Sequence, residues 1–374
     1  MNQSISLAES KPHYEILDGL RGVAAVMVVL FHVFEIHSNG NHADQIINHG
    51  YLAVDFFFLL SGYVIGYAYD DRWNRMTLKD FFKRRIIRLQ PMIIIGSAIG
   101  AALFYFQQSS GLGWNTDEVP VWKMLLVMLI GFTLIPVGKG LDIRGWSEMH
   151  PLNGPGWSLF FEYIANVLYA LVLRHLPKLA LIALVVIAAA FTIQYALTNP
   201  NGDIIGGWSI SDPLQMRIGF TRLAFPFLAG LLLARVGKLK YTRNAFLVCG
   251  LLLVALFSVP RLGGTENMWL NGLYECFCLI VMFPLIVWIG AGGKVEGKKA
   301  SKVCKFLGDI SYPIYITHFP LVYVYMAWVT NNGYTLEESW LVGALVAVAS
   351  IVVAYLSMIL YDIPVREWLR KRFL

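Results

Sequence analysis

The chain of 374 residues is 57% hydrophobic and only 14% charged, with a mean hydropathy of +0.59 and a formal net charge of +6. A soluble domain carries about 25% charged residues, so this composition excludes an ordinary soluble protein. The lysines and arginines stand in short segments between apolar runs, which is typical of membrane topology and does not indicate nucleic-acid binding. The four cysteines lie in or beside apolar segments without metal-ligand spacing, which predicts free thiols and no metal site.

Eleven apolar segments follow one another along the chain, and runs of about 18 or more residues are long enough to cross a hydrocarbon core of about 30 Å. The segments lie near 17–37, 51–69, 91–108, 121–137, 157–174, 178–197, 214–234, 245–260, 271–290, 309–330 and 340–362. They are continuous rather than alternating, which disfavours a barrel. We therefore predict an all-α, multi-pass membrane bundle that forms one domain over residues 1–374, with no fused soluble domain.

The basic residues predict which loops face the cytoplasm. Lys and Arg are concentrated in residues 70–90, 234–243, 292–305 and 365–374. They are missing from the predicted outer loops at 38–50, 199–213 and 331–339. Both termini are then cytoplasmic, which requires an even number of crossings. Eleven crossings are an odd number, and the loop assignments on either side leave only one crossing for the two apolar segments between residues 91 and 156. We therefore predict ten transmembrane helices and one kinked, re-entrant or interfacial piece in that region.

The first apolar segment carries a cation and an imidazole in the stretch LDGLRGVAAVMVVLFHVFE (17–35). Arg21 and His32 are just over three helical turns apart, so they share one stripe and differ in depth by about 16 Å. Ionisable groups at membrane depth usually line a functional cavity, and a neutral imidazole there is a suitable general base. The alternative is a snorkelling arginine and a histidine hydrogen-bonded to a neighbouring helix.

A basic amphipathic stretch, FFKRRIIRLQP, occupies residues 81–91. Arg85 and Arg88 are three residues apart, and Arg84 and Arg88 four apart, so they crowd one helical face. This pattern is typical of an interfacial helix that binds anionic lipid headgroups. It is equally suited to a phosphate-bearing ligand at the cytoplasmic face, since guanidinium groups make bidentate phosphate contacts.

Three further stretches place polar residues at membrane depth. In HPLNGPGWSLFFEYIANVLYA (150–170) the prolines and glycines forbid a regular helix before Trp157, and Glu162 lies one turn below Ser158. The alternative is that Trp157 is an interfacial anchor and Glu162 an acid favoured by the helix dipole.

In GDISYPIYITHFPLVY (308–323), Ser311, Tyr315 and His318 share one face of a helix kinked by prolines. Asp55 is an intramembrane acid, expected to pair with an arginine or histidine of the first helix.

Together these stretches resemble the acyltransferase-3 family of bacterial membrane acyltransferases. The matching elements, in chain order, are Arg21 with His32 after ten intervening residues, VDFFFLLSGYVI (54–65), the R-x-x-R pair of Arg85 and Arg88 followed by Pro91, PGWSLFFE (155–162) and SYPIYITHFP (311–320). One such motif is weak evidence, whereas five in the same order cover nearly the whole chain. The fused esterase domain found in some family members has no counterpart in this sequence, which resembles the stand-alone form.

The resemblance implies a protein of the bacterial inner membrane that uses cytoplasmic acyl-CoA, by default acetyl-CoA, to acylate a hydroxyl of a cell-envelope or exported carbohydrate or glycolipid. His32 is then the general base, oriented by Glu162 or Asp55, and Arg21 lies along the path of the pantetheine arm or holds an acid. The phosphates of coenzyme A are assigned to Lys83, Arg84, Arg85 and Arg88, and the thioester pocket to Trp157. The remaining candidate site residues are Asn153, Ser158, Tyr315 and His318. Direct transfer is the simplest route, and an acyl-histidine intermediate stays open.

Two other functions remain open at this point. A secondary transporter also uses intramembrane His, Asp and Glu as a proton relay, although transporters often show repeated halves and paired broken helices, which this sequence lacks. A non-catalytic membrane scaffold is the second alternative. Transfer or hydrolysis of acetyl-CoA by the purified protein distinguishes the enzyme from the transporter, and an unchanged cellular activity after His32→Ala would favour the scaffold.

Overall fold

The computed structural model describes residues 14–38 and 41–374, and these residues form helices and loops without a β-strand. The α-helices within this part of the chain are α1 (Glu15–Glu35), α2 (Ala53–Tyr69), α3 (Leu78–Leu103), α4 (Val121–Gly131), α5 (Gly156–Leu171), α6 (Lys178–Thr198), α7 (Pro213–Val236), α8 (Ala245–Ser258), α9 (Trp269–Phe277), α10 (Phe283–Gly292), α11 (Lys298–Thr317), α12 (Phe319–Asn332), α13 (Leu336–Ser357) and α14 (Ile363–Phe373). The predicted all-α class is confirmed.

Seven stretches of the described chain are long and apolar enough to cross a membrane. They are Glu15–Ser38, Gly50–Tyr69, Leu78–Gln107, Lys178–Thr198, Pro213–Val236, Trp269–Gly292 and Leu336–Phe373. Short π-helical turns at Cys278–Met282 and Met358–Asp362 join α9 to α10 and α13 to α14. Shorter apolar helices complete a polytopic membrane bundle. All four cysteines are buried and free, as predicted.

The region between α3 and α5 contains the irregular piece expected from the topology. Helix α4 has 11 residues and rises only about 16 Å, roughly half of a hydrocarbon core. From residue 132 to 155 the chain is non-helical apart from one 3₁₀ turn at Lys139–Leu141. Asp142 accepts hydrogen bonds from the backbone N–H groups of Arg144, Gly145 and Ser147. These three backbone N–H groups are therefore satisfied within the protein.

Glycines allow the helices that surround the site to approach closely. A Cβ atom on Gly22 would collide with the backbone carbonyl of Leu307, which brings α1 against α11. The same collision would occur between Gly62 of α2 and Phe227 of α7. Small residues at helix contacts are the usual means of tight packing in membranes. The close α1–α11 contact positions Arg21 and His32 against one neighbouring helix.

Candidate active site

A cavity of about 730 Å³ lies among α1, α2, α3, α5 and α11. Most of its wall is apolar, with Phe57 and Phe58 of α2 on one side and Leu89 and Leu159 on the other. Its polar lining consists of Arg21, Ser61, Arg85, Arg88, Ser158, Glu162, Ser311, Tyr312 and Tyr315. The cavity therefore brings together six of the residues that the sequence analysis selected, from four separate motifs.

Two of the three cavity arginines have protein partners. Arg85 Nη2 lies 2.7 Å from Glu162 Oε1, and Ser61 Oγ donates to the same oxygen at 3.1 Å. Arg21 Nε donates to Ser311 Oγ at 2.8 Å, and its Nη2 lies 2.9 Å from a carboxylate oxygen of Asp18. These positive charges are balanced inside the protein, so neither guanidinium is free to act as a simple anion site.

Arg88 differs from both. It lines the same cavity and is exposed, and among the described residues no carboxylate lies within ion-pair distance of it. Arg84 is exposed on the preceding turn, and Lys83 Nζ donates to the backbone carbonyl of Phe373 in α14 at 3.1 Å. Arg88 is therefore the cavity cation whose charge is available for an anionic ligand.

Ser158 and Tyr315 lie together at the wall of the cavity. Ser158 Oγ donates to the carbonyl oxygen of Pro155 at 3.1 Å, so the Tyr315 hydroxyl, 2.7 Å away, donates to Ser158 Oγ. The ring of Phe57 packs edge-on against Tyr315. This hydrogen bond connects the PGWSLFFE motif of α5 to the SYPIYITHFP motif of α11.

His32 lies at the other end of the α1–α11 contact. Its Nδ1 is 2.8 Å from Glu35 Oε2, so Nδ1 carries the proton of this hydrogen bond and Nε2 carries the lone pair in the neutral ring. The His32 side chain is 19% exposed and that of Glu35 38% exposed. The His32 ring stacks on His318 with centroids 5.6 Å apart and meets Phe319 edge-on. Glu35 and His32 form a dyad of the kind that orients a general base.

The carboxylate beside His32 is thus not one of the two expected from the sequence. Glu162 pairs with Arg85, and Asp55 forms a buried pair with Arg222 of α7, with Arg222 Nη2 2.7 Å from Asp55 Oδ2. Arg222 also donates to the carbonyl oxygens of Tyr51 and Gly206. The expected contacts of Glu162 and Asp55 with the first helix are absent because both acids have a closer arginine.

Two other candidates lie beside the cavity rather than on its wall. The Trp157 ring packs under the guanidinium of Arg222, 5.0 Å from Cζ to the ring centroid, and Phe58 occupies the cavity side of that contact. Asn153 Nδ2 donates to the carbonyl oxygen of Ile316 at 2.8 Å. Asn153 lines a second, smaller cavity of about 350 Å³ together with His150.

Sequence reasoning missed Glu35 and Arg222. Glu35 stands three residues after His32, and this spacing places the two side chains on one helical face. Arg222 is an ionisable residue inside an apolar segment, which marks it as a residue needing a buried partner.

No group of three or more His, Cys, Asp or Glu side chains arranged for a metal ion occurs among residues 14–38 and 41–374. A metal-free site stays a prediction.

Comparison with known proteins adds evidence that is independent of this geometry. A family model described as an acyltransferase domain matches residues 14–359. The chain is 26% identical over 367 residues to the acyltransferase MdmB of Streptomyces mycarofaciens, covering 91% of this chain and 87% of that protein. No solved structure matches the chain.

Two further relatives have names that include an acceptor. The peptidoglycan O-acetyltransferase OatA of Listeria monocytogenes is 24% identical over 385 residues, or 96% of this chain and 56% of the relative. A putative peptidoglycan O-acetyltransferase of Bacillus subtilis, YrhL, is 27% identical over 336 residues, or 82% of this chain and 48% of the relative. The chain therefore spans about half the length of both O-acetyltransferases.

Proposed function

The chain belongs to the acyltransferase-3 family, and from that premise we propose that it transfers an acyl group, by default acetyl from cytoplasmic acetyl-CoA, to a hydroxyl of a cell-envelope or exported carbohydrate. The observation that carries the proposal is the cavity that joins the exposed, unpaired Arg88 to the Ser158–Tyr315 pair inside one bundle. A transporter relay gives no reason for a cation without an acidic partner among the described residues in a cavity whose wall is mostly apolar.

Arg88 is proposed to bind a phosphate of coenzyme A, with Arg84 one turn earlier and Lys83 beside α14 as further cations. Guanidinium–phosphate contacts are strong because they are charge-assisted and bidentate. Arg85 acts differently from Arg88, since its pair with Glu162 and Ser61 holds α2, α3 and α5 together around the cavity. The pantetheine arm then follows the apolar wall from Arg88 and passes Arg21, and Trp157 supports that wall from behind Phe58.

His32 is proposed to remove the proton from the acceptor hydroxyl. Its Nε2 carries the lone pair, and Glu35 stabilises the imidazolium that forms when the proton arrives. A positioned general base of this kind contributes about 100-fold to 10,000-fold to a rate. Because the loop after α1 carries no Lys or Arg, His32 and Glu35 are assigned to the outer half of the membrane.

The acceptor class is proposed from two observations. The relatives named as O-acetyltransferases act, by their names, on peptidoglycan, and the loop after α1 lacks Lys and Arg, which assigns the dyad to the outer side, where envelope carbohydrates lie. The protein is a multi-pass membrane protein, and we assign it to the bacterial inner membrane with both termini cytoplasmic. The single-domain interpretation of residues 1–374 remains a prediction.

Mass spectrometry of envelope and exported glycans tests this proposal. Glycans are compared from cells with the protein, without it, and with His32→Asn, which retains an amide donor for Glu35. We expect one class of O-acyl groups to disappear in the second and third samples. His37→Gln is the matched control, because His37 is five residues from His32 but contacts Tyr325 and Ser339 instead of Glu35 and His318. An unchanged acylation pattern after deletion would refute the proposal.

A further inference from the structure

His318 lies between the cavity and His32, and the proposed function leaves it without a role. Its side chain is completely buried. The centroid of its ring is 6.2 Å from that of Tyr315, which lines the cavity, and 5.6 Å from that of His32. The three rings therefore form a path from the cavity wall to the base, while neither histidine lines the cavity itself.

The hydrogen bond of His318 fixes its protonation. Nδ1 lies 2.9 Å from the carbonyl oxygen of Ile314, which can only accept, so Nδ1 carries a proton. Nε2 is buried and has no hydrogen-bond partner among the described residues. In the neutral ring Nε2 is therefore the nitrogen without a proton, and its lone pair is uncommitted.

We propose that His318 carries the acyl group from donor to acceptor as an acyl-imidazole. This inference rests on the proposed function, from which it takes a thioester donor and His32 as the base. Direct transfer requires the thioester, the acceptor hydroxyl and His32 to meet at one point. His318 lies one helical turn beyond Tyr315 and next to His32, so a carrier there lets the donor and the acceptor react in turn.

In the first step the lone pair of His318 Nε2 attacks the carbonyl carbon of the thioester. A C–N bond forms and the C–S bond breaks. The sulfur leaves with its electron pair as a thiolate and takes a proton from water. His318 becomes an acyl-imidazolium, with its Nδ1–H still bonded to Ile314.

In the second step the acceptor oxygen attacks the same carbonyl carbon, and its proton passes to His32 Nε2. The C–N bond breaks and its electrons return to His318 as the lone pair. Glu35 holds the protonated His32 until its proton leaves to water, which the partial exposure of both side chains permits. Burial of His318 suits the intermediate, because an acyl-imidazole in contact with water would hydrolyse.

Trapping the intermediate tests the proposal. The purified full chain is incubated with radiolabelled acetyl-CoA without an acceptor, quenched and treated with neutral hydroxylamine, which releases an acyl-imidazole but not an amide. We expect the parent chain to carry up to one labile acetyl group, and His32→Asn to carry at least as much because only its second step is blocked. His318→Asn keeps an amide donor for Ile314, lacks Nε2, and should lose the label at least about 100-fold.

The controls separate this inference from the proposed function. His37→Gln should be labelled like the parent, and size-exclusion profiles report whether each variant is folded. If the parent transfers acetyl groups but carries no labile label, or if His318→Asn is labelled like the parent, the carrier is refuted and the proposed function stands. If the parent neither binds nor consumes acetyl-CoA, the proposed function fails and the carrier fails with it. Label retained by His32→Asn is a result that a purely structural role of His318 does not predict.

Discussion

The two ends of the α1–α11 contact differ in which of their polar groups have partners within the protein. At one end Arg21 bonds Ser311 beside a large cavity, and Arg88 in that cavity has no acidic partner among the described residues. At the other end His32 is paired with Glu35, stacked on His318, and away from the cavity. The first arrangement suits the binding of an anion and the second suits the transfer of a proton, so binding and chemistry are separated along one pair of helices.

The largest effect is expected at the proton-transfer end. His32→Asn should lower the rate of acetyl transfer about 1,000-fold, since a positioned general base contributes 100-fold to 10,000-fold. The rate is measured with purified protein, acetyl-CoA and envelope glycan fragments, with His37→Gln as the control. A rate within tenfold of the parent would mean that His32 is not the base, and the distinction between the two ends would lose its basis.

The Arg85–Glu162 pair allows binding to be distinguished from structure within the cavity. Arg85→Met leaves Glu162 unpaired in a largely buried position, which should lower the free energy of unfolding by about 3 kcal/mol. Arg88→Met breaks no ion pair and should leave stability unchanged. Thermal unfolding in detergent measures both variants.

The double variant Arg85→Met/Glu162→Leu is the control for that comparison. Removing both charges should restore most of the lost stability, because the cost arises from the unpaired carboxylate rather than from the lost contact. Equal stability of Arg85→Met and the parent would show that the pair does not hold the bundle together, and would return Arg85 to the set of candidate phosphate ligands.

Much of the fold and part of the site follow from the sequence. The predicted topology requires an irregular piece between residues 91 and 156, and the structure has a helix of only 11 residues there, followed by irregular backbone. The spacing of Arg21 and His32 predicts one shared face, and Arg21 contacts α11 while His32 contacts His318, the residue that follows α11. What local spacing cannot give is the choice of partner. Arg85 and Arg88 are equivalent on a helical wheel, and only the position of Glu162 on a distant helix separates them.

The partner of Asp55 is likewise not determined by local spacing in the sequence. An acid inside an apolar segment requires a cation, but the sequence contains several, and Arg222 lies 167 residues away from it along the chain. Glu35 is the opposite case, since its partner is within one helical turn. An acid at the end of an apolar segment needs no buried partner, so the position of Glu35 does not by itself indicate this pairing.

A smaller effect is expected at Glu35. Glu35→Gln retains an acceptor for His32 Nδ1–H but loses the charge that stabilises the imidazolium, so the transfer rate should fall about tenfold. The affinity for donor should not change. A transfer rate equal to that of the parent would contradict the dyad.

The smallest effect concerns a histidine outside both ends. Burial lowers the pKa of His150, in the loop before α5, to about 3. The unfolded chain binds this proton near pH 6.5 and the native protein does not, so His150 lowers stability as pH falls below 6.5. At pH 5.5 the cost is about 1 kcal/mol. In His150→Gln the loss of thermal stability between pH 6.5 and 5 should be smaller, and parallel curves would contradict this.

The separation of binding from chemistry is tested most directly by the affinity of the purified protein for coenzyme A, measured by calorimetry on Arg88→Met and His32→Asn. Loss of a charge-assisted phosphate contact should raise the Kd of Arg88→Met about tenfold or more. His32→Asn should bind coenzyme A like the parent although it no longer transfers acetyl groups. Unchanged affinity in Arg88→Met, or an equal loss in both variants, would contradict the assignment of the two ends.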